Sequence, residues 1–272
     1  MCVNLMGNRF LRRANASIIV QKLTAKAVFQ QKLIAEGDRI LIAVSGGKDS
    51  SVLAWALSGL KRSLGIGYEL SGIHISSDFC ACCKKSVLEA RLTEWGIPYT
   101  DLAVPVIGRL KEGRTMNCYW CSTQRRTELI KYALEHGYNK IALGHHLDDI
   151  IETFFMNMTN KGQLSAMPMY LQYRKYPLAL IRPLGFLEER QIIACADELG
   201  ILKAACTCPY GVNSSRRDIR SRIATFTANS SAVKRRMLAA LSSGSTNFLV
   251  DASSTDTSSV DAPSAEESSC SL

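Results

Sequence analysis

Apolar and polar positions fall into blocks along this chain, with short apolar runs giving way to longer stretches of helical spacing. The clearest run is Ile40-Leu41-Ile42-Ala43-Val44, the pattern of a strand buried on both faces of a parallel sheet. It stops at Ser45-Gly46-Gly47-Lys48-Asp49-Ser50, and Val52, Leu53, Trp55 and Ala56 follow at helical spacing. Further strands are predicted over 68–75, 99–104 and 140–143, with a hairpin within 170–180. Helical patterns cover 17–36, 84–95, 122–136, a segment ending at 158, and 187–199, with one or two basic helices across 213–241. Strands alternating with helices in this way predict an α/β fold with a doubly wound parallel sheet, flanked by an N-terminal helix and C-terminal helices.

The same pass divides the chain into a basic segment and helix (1–30), an α/β domain (31–212), basic C-terminal helices (213–241) and a serine-rich acidic tail (242–272). The tail is expected to be disordered: 11 of its 31 residues are serine and few are large and apolar. Charge sharpens the picture. The whole chain carries 33 Lys and Arg against 24 Asp and Glu, a net +9. The last 22 residues hold five of the acids and no base, so the rest is +14 and suits a polyanionic partner. No signal-peptide-like or membrane-spanning run is visible, so no membrane association is expected. Ten cysteines without a secretory signal point to reduced thiols in the cytoplasm rather than a disulfide framework.

The candidate chemistry begins at the glycine turn. Two adjacent glycines between a strand and a helix N-terminus let backbone N–H groups crowd around an oxyanion, and the helix dipole favours negative charge there. The spelling is neither a Walker A loop, since Asp49 follows Lys48 and the earlier glycine is missing, nor a dinucleotide G-x-G-x-x-G. A second strand–glycine–helix turn, Gly144-His145-His146-Leu147-Asp148-Asp149, belongs at the same sheet edge. Its histidines are candidates for phosphate or base contact, and Asp49, Asp148, Asp149 and Glu152 for Mg²⁺. Ser76-Ser77-Asp78 follows another strand's carboxyl end, where ligands bind in open parallel sheets. Cys118-Tyr-Trp-Cys121 is a C-x-x-C directly before a predicted helix; Cys206 and Cys208 lie farther on, and Cys80, Cys82 and Cys83 cluster after the second strand. From spacing alone, a four-cysteine zinc site and a three-cysteine [4Fe–4S] cluster with one open iron are equally supported.

The six residues Ser45–Ser50 resemble the SGGxDS loop of the PP-loop ATP pyrophosphatases, which cleave ATP between its α and β phosphates and adenylate a substrate. SGGKDS, then C-x-x-C followed by Arg125 and Arg126, then ALGHHLDD (142–149) and a cysteine beyond RPLGFLEE (182–189) are together similar to the TtcA family of tRNA 2-thiocytidine synthetases. The likeness covers about residues 30–225. It implies ATP, Mg²⁺ and a three-cysteine [4Fe–4S] cluster as cofactors, with Cys118, Cys121 and Cys208 as cluster ligands. It implies an ATP site of Ser45, Gly46, Gly47, Lys48, Asp49, Ser50, Ser76, Gly144, His145 and Asp149, with Lys48 and Asp49 catalytic and Asp49 on Mg²⁺. Arg125, Arg126, Arg216, Arg217 and Arg220 are expected to contact tRNA. The implied partners are tRNA and a sulfur donor, either a cysteine desulfurase persulfide or sulfide, with a homodimer left open. The implied product is 2-thiocytidine at position 32. The alternatives are thiolation of a uridine by a related enzyme, whose spelling Pro209-Tyr210-Gly211 is nearer, a PP-loop ligase or amidase with structural zinc, or a non-catalytic nucleotide-binding module.

Overall fold

The computed structural model describes residues 16–63, 65–79, 85–201 and 214–242. Cys80, Cys82, Cys83, Cys206, Cys208, the 209–211 turn, the first 15 residues and the tail from 243 lie outside the described residues, as does the Arg216 side chain. The elements run α1 (Ala16–Gln30), β1 (Arg39–Ala43), α2 (Lys48–Ser63), β2 (Glu69–Ser77), α3 (Lys85–Glu94), β3 (Tyr99–Val104), α4 (Cys118–Glu135), β4 (Lys140–Ala142) and α5 (Leu147–Lys161). After these come β5 (Tyr170–Gln172), β6 (Ala179–Ile181), α6 (Glu189–Glu198), α7 (Ser214–Thr227) and α8 (Ser231–Ser242).

The six strands form one sheet in the order β3-β2-β1-β4-β6-β5. Every neighbouring pair is parallel except β5 and β6, the predicted hairpin, which pair antiparallel at the edge. The period-2 alternation of β1 explains its unbroken apolar run. Ile40, Ile42 and Val44 pack into one core and Leu41 into a second on the opposite face. The first core also takes Leu53 and Leu57 of α2, Ile150 and Ile151 of α5, and Ile192 of α6; the second is closed by Leu129 and Ala133 of α4. The chain runs outward from β1 through β2 to β3, then returns to β4 on the other side of β1. That reversal puts the topological switch point, where open α/β sheets bind ligands, between the carboxyl ends of β1 and β4.

Two predicted helix ends move by four residues or more, and β2 runs on to Ser77, so that Ser76 and Ser77 lie within the strand rather than after its end. Helix α1 ends at Gln30 rather than 36, because Lys32 takes a left-handed conformation (φ 49°) and the Leu33 N–H bonds back to the Val28 carbonyl at 2.9 Å. Helix α4 begins at Cys118 rather than Ser122, because Asn117 caps it: its side chain accepts from the Trp120 N–H at 2.8 Å. The C-x-x-C therefore lies inside the first helical turn.

Candidate active site

Both glycine turns meet at the switch point. The first is organised by Ser50, whose hydroxyl accepts from the Ser45 N–H and donates to the Gly47 carbonyl, each at 3.1 Å. Gly46 sits at φ +82°, a conformation that an L side chain rarely adopts. The second turn comes in so close that a Cβ on Gly144 would stand 3.0 Å from the Asp49 carbonyl carbon and the Ser50 nitrogen. Any side chain there would push the two backbones apart by a few tenths of an ångström.

Between the turns lies a cleft of about 200 Å³. Its floor is apolar, with Ile73, Ile75, Leu129 and Leu143, and its polar rim is Ser45, Asp49, Ser50, His145, Asp149 and Arg125. The Nε of Arg125 is buried without a hydrogen-bond partner, so a guanidinium edge and two glycine turns face one small space. A nucleotide's phosphates fit that demand. An unpaired buried donor is costly, and an anion held against turn amides at a helix N-terminus satisfies it.

Each histidine and carboxylate of GHHLDD now has its own place. His145 lines the cleft, and its Nδ1 accepts from the Nε of buried Arg182 at 3.3 Å, which leaves Nε2–H as its donor. Burial lowers the Arg182 pKa to about 10, so this guanidinium stays charged at neutral pH. His146 is buried instead, with its ring nitrogens 3.3 Å from Asp149, 3.7 Å from Asp148 and 4.0 Å from Asp49. It packs the helix start rather than facing the cleft. Asp149 caps its own helix by accepting the His146 N–H at 3.1 Å.

Asp148 and Glu152 do not join Asp49 at a shared cation site. Asp148 accepts the Glu189 N–H at 2.7 Å and pairs with Lys234 of α8 at 2.5 Å. Burial would raise its pKa, but the Lys234 and backbone bonds outweigh that and lower it. Glu152 pairs with Arg220 of α7 at 2.6 Å. Helical phase turns these two side chains away from Asp49 and Asp149. Among the described residues no group of three or more His, Cys, Asp and Glu side chains could hold a metal. A Mg²⁺ therefore fits only as the reluctantly dehydrated ion that one or two carboxylates share with substrate phosphates.

Lys48 reaches across to helix α6 rather than into the cleft. Its ammonium is 2.9 Å from Glu189 and 3.2 Å from Asp49. Burial pulls its pKa down, but the hydrogen bond to Glu189 and the two carboxylate charges more than offset this and raise it. Ser76 is likewise not brought to the cleft. Alternation along β2 gives Ile73 and Ile75 to it, while the Ser76 hydroxyl donates to Asp101 at 3.3 Å. Asp78 serves the next loop, its carboxylate accepting the N–H groups of Ile107 and Gly108.

The cysteine pair stands beside this cleft. Cys118, Cys121 and Arg125 follow i, i+3, i+7 spacing, so the thiols occupy the helix face that carries Arg125 to the nucleotide side. Trp120 locks that turn by donating its indole N–H to the Val106 carbonyl at 3.0 Å. Both thiols are half-buried and outside any disulfide, and their soft donors at a helix N-terminus suit an iron–sulfur cluster or zinc. Arg126, Arg217 and Arg220 do not line the cleft; Arg220 is held by Glu152 and, at 3.4 Å, Glu189. The sequence reading gave no role to Glu189 or Arg182. Both lie in the RPLGFLEE stretch, and an acid opening a helix after a glycine was the only available signal.

A parallel sheet whose switch point joins SGGKDS to a second glycine turn defines the PP-loop class of nucleotide-binding domains. The family profile described as a PP-loop domain matches residues 17–225. The tRNA-cytidine(32) 2-sulfurtransferase of Syntrophotalea carbinolica is 35% identical over 243 residues, 87% of this chain and 93% of the relative. That of Geobacter metallireducens is 36% identical over 231 residues, 83% and 90% of the two chains. The chain belongs to the PP-loop family, on the branch of the tRNA-cytidine(32) 2-sulfurtransferases. The U34-tRNA thiolase NcsA of Methanococcus maripaludis, solved with its [4Fe–4S] cluster, has the same fold, with a TM-score of 0.71 at 22% identity over 84% of this chain and 78% of that one.

Proposed function

We propose that this protein is an ATP-dependent tRNA sulfurtransferase that converts cytidine 32 to 2-thiocytidine, the activity named for relatives at 35% and 36% identity over most of both chains. The observation that carries the reading is the placement of the C-x-x-C turn on the α4 face that lines the two-glycine-turn cleft. A nucleotide-binding module needs only the cleft. A ligase with structural zinc has no use for thiols at its rim.

The chemistry follows from the groups available. Amides of the 45–50 turn, His145 Nε2–H and Arg125 hold the ATP phosphates, with Asp49 and Asp149 sharing any Mg²⁺. The C2 carbonyl oxygen of the target base attacks the α-phosphate; pyrophosphate leaves and the base carries AMP. Charge developing on the α-phosphate meets donors already fixed in place, the usual source of rate in such sites. With sulfide as donor, sulfur then adds to C2 and AMP departs with the former carbonyl oxygen, so the exchange consumes no oxidant or reductant; a persulfide donor would in addition need a thiol reductant to cleave its S–S bond. Cys118, Cys121 and Cys208 would hold a [4Fe–4S] cluster, which when bound offers one iron without a protein ligand to a sulfur atom. The apolar floor excludes water that would hydrolyse the adenylated base. The base must leave its loop to reach this cleft. The reading places the protein in the cytoplasm, with tRNA and a persulfide or sulfide donor as partners. Among the described residues no helix is long and apolar enough to cross a membrane.

The test is anaerobic incubation with ATP, sulfide and tRNA, followed by mass spectrometry of the digested nucleosides. One 2-thiocytidine per AMP released is expected. Thiolated uridine would move the protein to the neighbouring activity, and AMP without any thiolated base would refute sulfur transfer.

A further inference from the structure

Lys48 belongs to the first glycine turn but not to the cleft, and it stands where a cation is least favoured. It opens α2, and a positive charge in a helix's first turn opposes the helix dipole. A chain of contacts along the carboxyl edge of the sheet, where β1, β4 and β6 end, holds it there. Asp148, in the first turn of α5, accepts the Glu189 N–H at 2.7 Å and so fixes the start of α6. The Leu147 N–H, donating to the Leu187 carbonyl at 2.8 Å, ties the same two segments again. One oxygen of the Glu189 carboxylate then takes the Lys48 ammonium at 2.9 Å, and the other faces Arg220 of α7 at 3.4 Å. Burial would raise the Glu189 pKa, but the Lys48 hydrogen bond and the Lys48 and Arg220 charges outweigh it and hold the carboxyl below its ordinary range.

The chain ends on Asp49, which does line the cleft. The Lys48 ammonium lies 3.2 Å from each Asp49 oxygen but donates a hydrogen bond to Oδ2 only. Oδ1 is buried without a hydrogen-bond partner. A buried carboxylate oxygen that receives no donor is costly, and a cation shared with bound phosphates would relieve it.

We infer that Glu189 is a positioning residue for the nucleotide site: through Lys48 it sets the Asp49 carboxylate so that its unpartnered oxygen meets the cation bound with ATP. The inference rests on the ATP-cleft reading above, and it gives Lys48 this task in place of contact with the phosphates. Groups that hold a metal are oriented by partners behind them, and losing such a partner weakens the metal without touching it. Here the partner is itself fixed to the second glycine turn, so one ion pair keeps the two turns that bracket the cleft in register. A carboxylate already held in place loses little freedom when the ligand arrives, which favours binding. The ammonium also stays outside the cleft, where it does not compete with the cation for the phosphate charge.

The test measures ATP affinity of the full-length protein by calorimetry, once with Mg²⁺ and once with EDTA, for the wild type, Lys48→Met, Glu189→Gln and the double variant. Each single variant is expected to bind ATP about tenfold more weakly in Mg²⁺, the scale of a lost outer partner. The double variant should lose about tenfold as well, rather than about a hundredfold, because both changes act on Asp49 through one pair. In EDTA all three should bind as the wild type does. A Lys48→Met loss as large in EDTA as in Mg²⁺ would make Lys48 a phosphate contact and overturn the inference. Losses that multiply in the double variant would overturn it too. Should urea unfolding show that Glu189→Gln loosens α6, Lys48→Met carries the test, since it leaves α6 its contacts with Asp148 and Arg220. A wild type that binds no ATP would overturn the cleft reading and this inference together. A wild type that binds ATP, with both single variants equal to it in Mg²⁺, would overturn the positioning role alone.

Discussion

Two cavities meet at the first turn of α5, and consecutive residues open onto different ones: Asp149 lines the nucleotide cleft and Asp148 the other. The second cavity is larger, about 320 Å³ against about 200 Å³, and far more charged, with Asp148, Glu152, Glu188 and Glu189 facing Arg190, Arg220 and Lys234. By size and charge it would be the binding site. Its charges, however, are spent on one another: Lys234 on Asp148 at 2.5 Å, Arg220 on Glu152 at 2.6 Å, and Lys48, reaching across from the loop, on Glu189 at 2.9 Å. The cleft has an apolar floor and a buried Arg125 Nε without a partner. Unmet donors, not charge count, mark where an anion goes. The matched network instead ties α7 and α8 to the glycine loop through Lys48.

Substitutions on the cleft side should cost the most. Asp49→Ala is expected to lower AMP formation by at least on the order of 10³ while the protein stays folded, because its carboxylate would hold the Mg²⁺ shared with the phosphates. Near wild-type thiolation in this variant would remove the cleft from the mechanism. Among the later cysteines, Cys208→Ser should lose iron, sulfide and all thiolation, whereas Cys206→Ser should keep the iron and most activity. Equal loss in the two, or stoichiometric zinc in the parent protein, would favour a four-cysteine site.

Arg125→Ala comes next, with a fall of about 10² in kcat/KM for ATP and tRNA affinity nearly unchanged. A loss confined to tRNA affinity would return Arg125 to the RNA surface that its sequence neighbourhood suggested. The matched cavity should answer differently. Lys234→Met strips Asp148 of a partner whose ammonium is largely buried, so urea unfolding should show about 2 kcal/mol less stability with the KM for ATP unmoved. A raised KM without lost stability would make that cavity part of the nucleotide site.

The smallest effect concerns His74, buried under the cleft with Nδ1 2.7 Å from the Val44 carbonyl. Burial is the largest influence and lowers its pKa from the ordinary 6.5, the carbonyl bond and Asp101 only partly opposing it. Below pH 6.5 the unfolded chain therefore takes up a proton that the folded chain refuses, and stability declines on acidification. His74→Gln should flatten that decline between pH 7 and 5 by at most about 1.4 kcal/mol per pH unit. An unchanged slope would show that carboxylates carry all of it.

How far the sequence could be read follows the same division between local and distant causes. The β1 run, both glycine turns and the hairpin were legible, because each depends on residues next to one another. Helix ends were not: the caps at Asn117 and Lys32 depend on backbone geometry that composition does not signal. Which of Arg125 and Arg126 enters the cleft depends on helical phase, fixed only once the start of α4 is known. Asp148 and Glu152 looked like metal ligands beside Asp49 until Lys234 and Arg220 arrived from helices 86 and 68 residues away. The Lys48–Glu189 pair spans 141 residues and leaves no local trace.

The central claim is that the cleft passes the base's own oxygen to the α-phosphate before sulfur enters. The direct measurement uses tRNA carrying a heavy-oxygen label at C2 of the target cytidine, incubated anaerobically with ATP and sulfide, with the mass of the released AMP determined. One labelled oxygen in each AMP, matched by one thiolated cytidine, is the predicted result. Unlabelled AMP alongside thiolated tRNA would contradict adenylation of the base in this cleft.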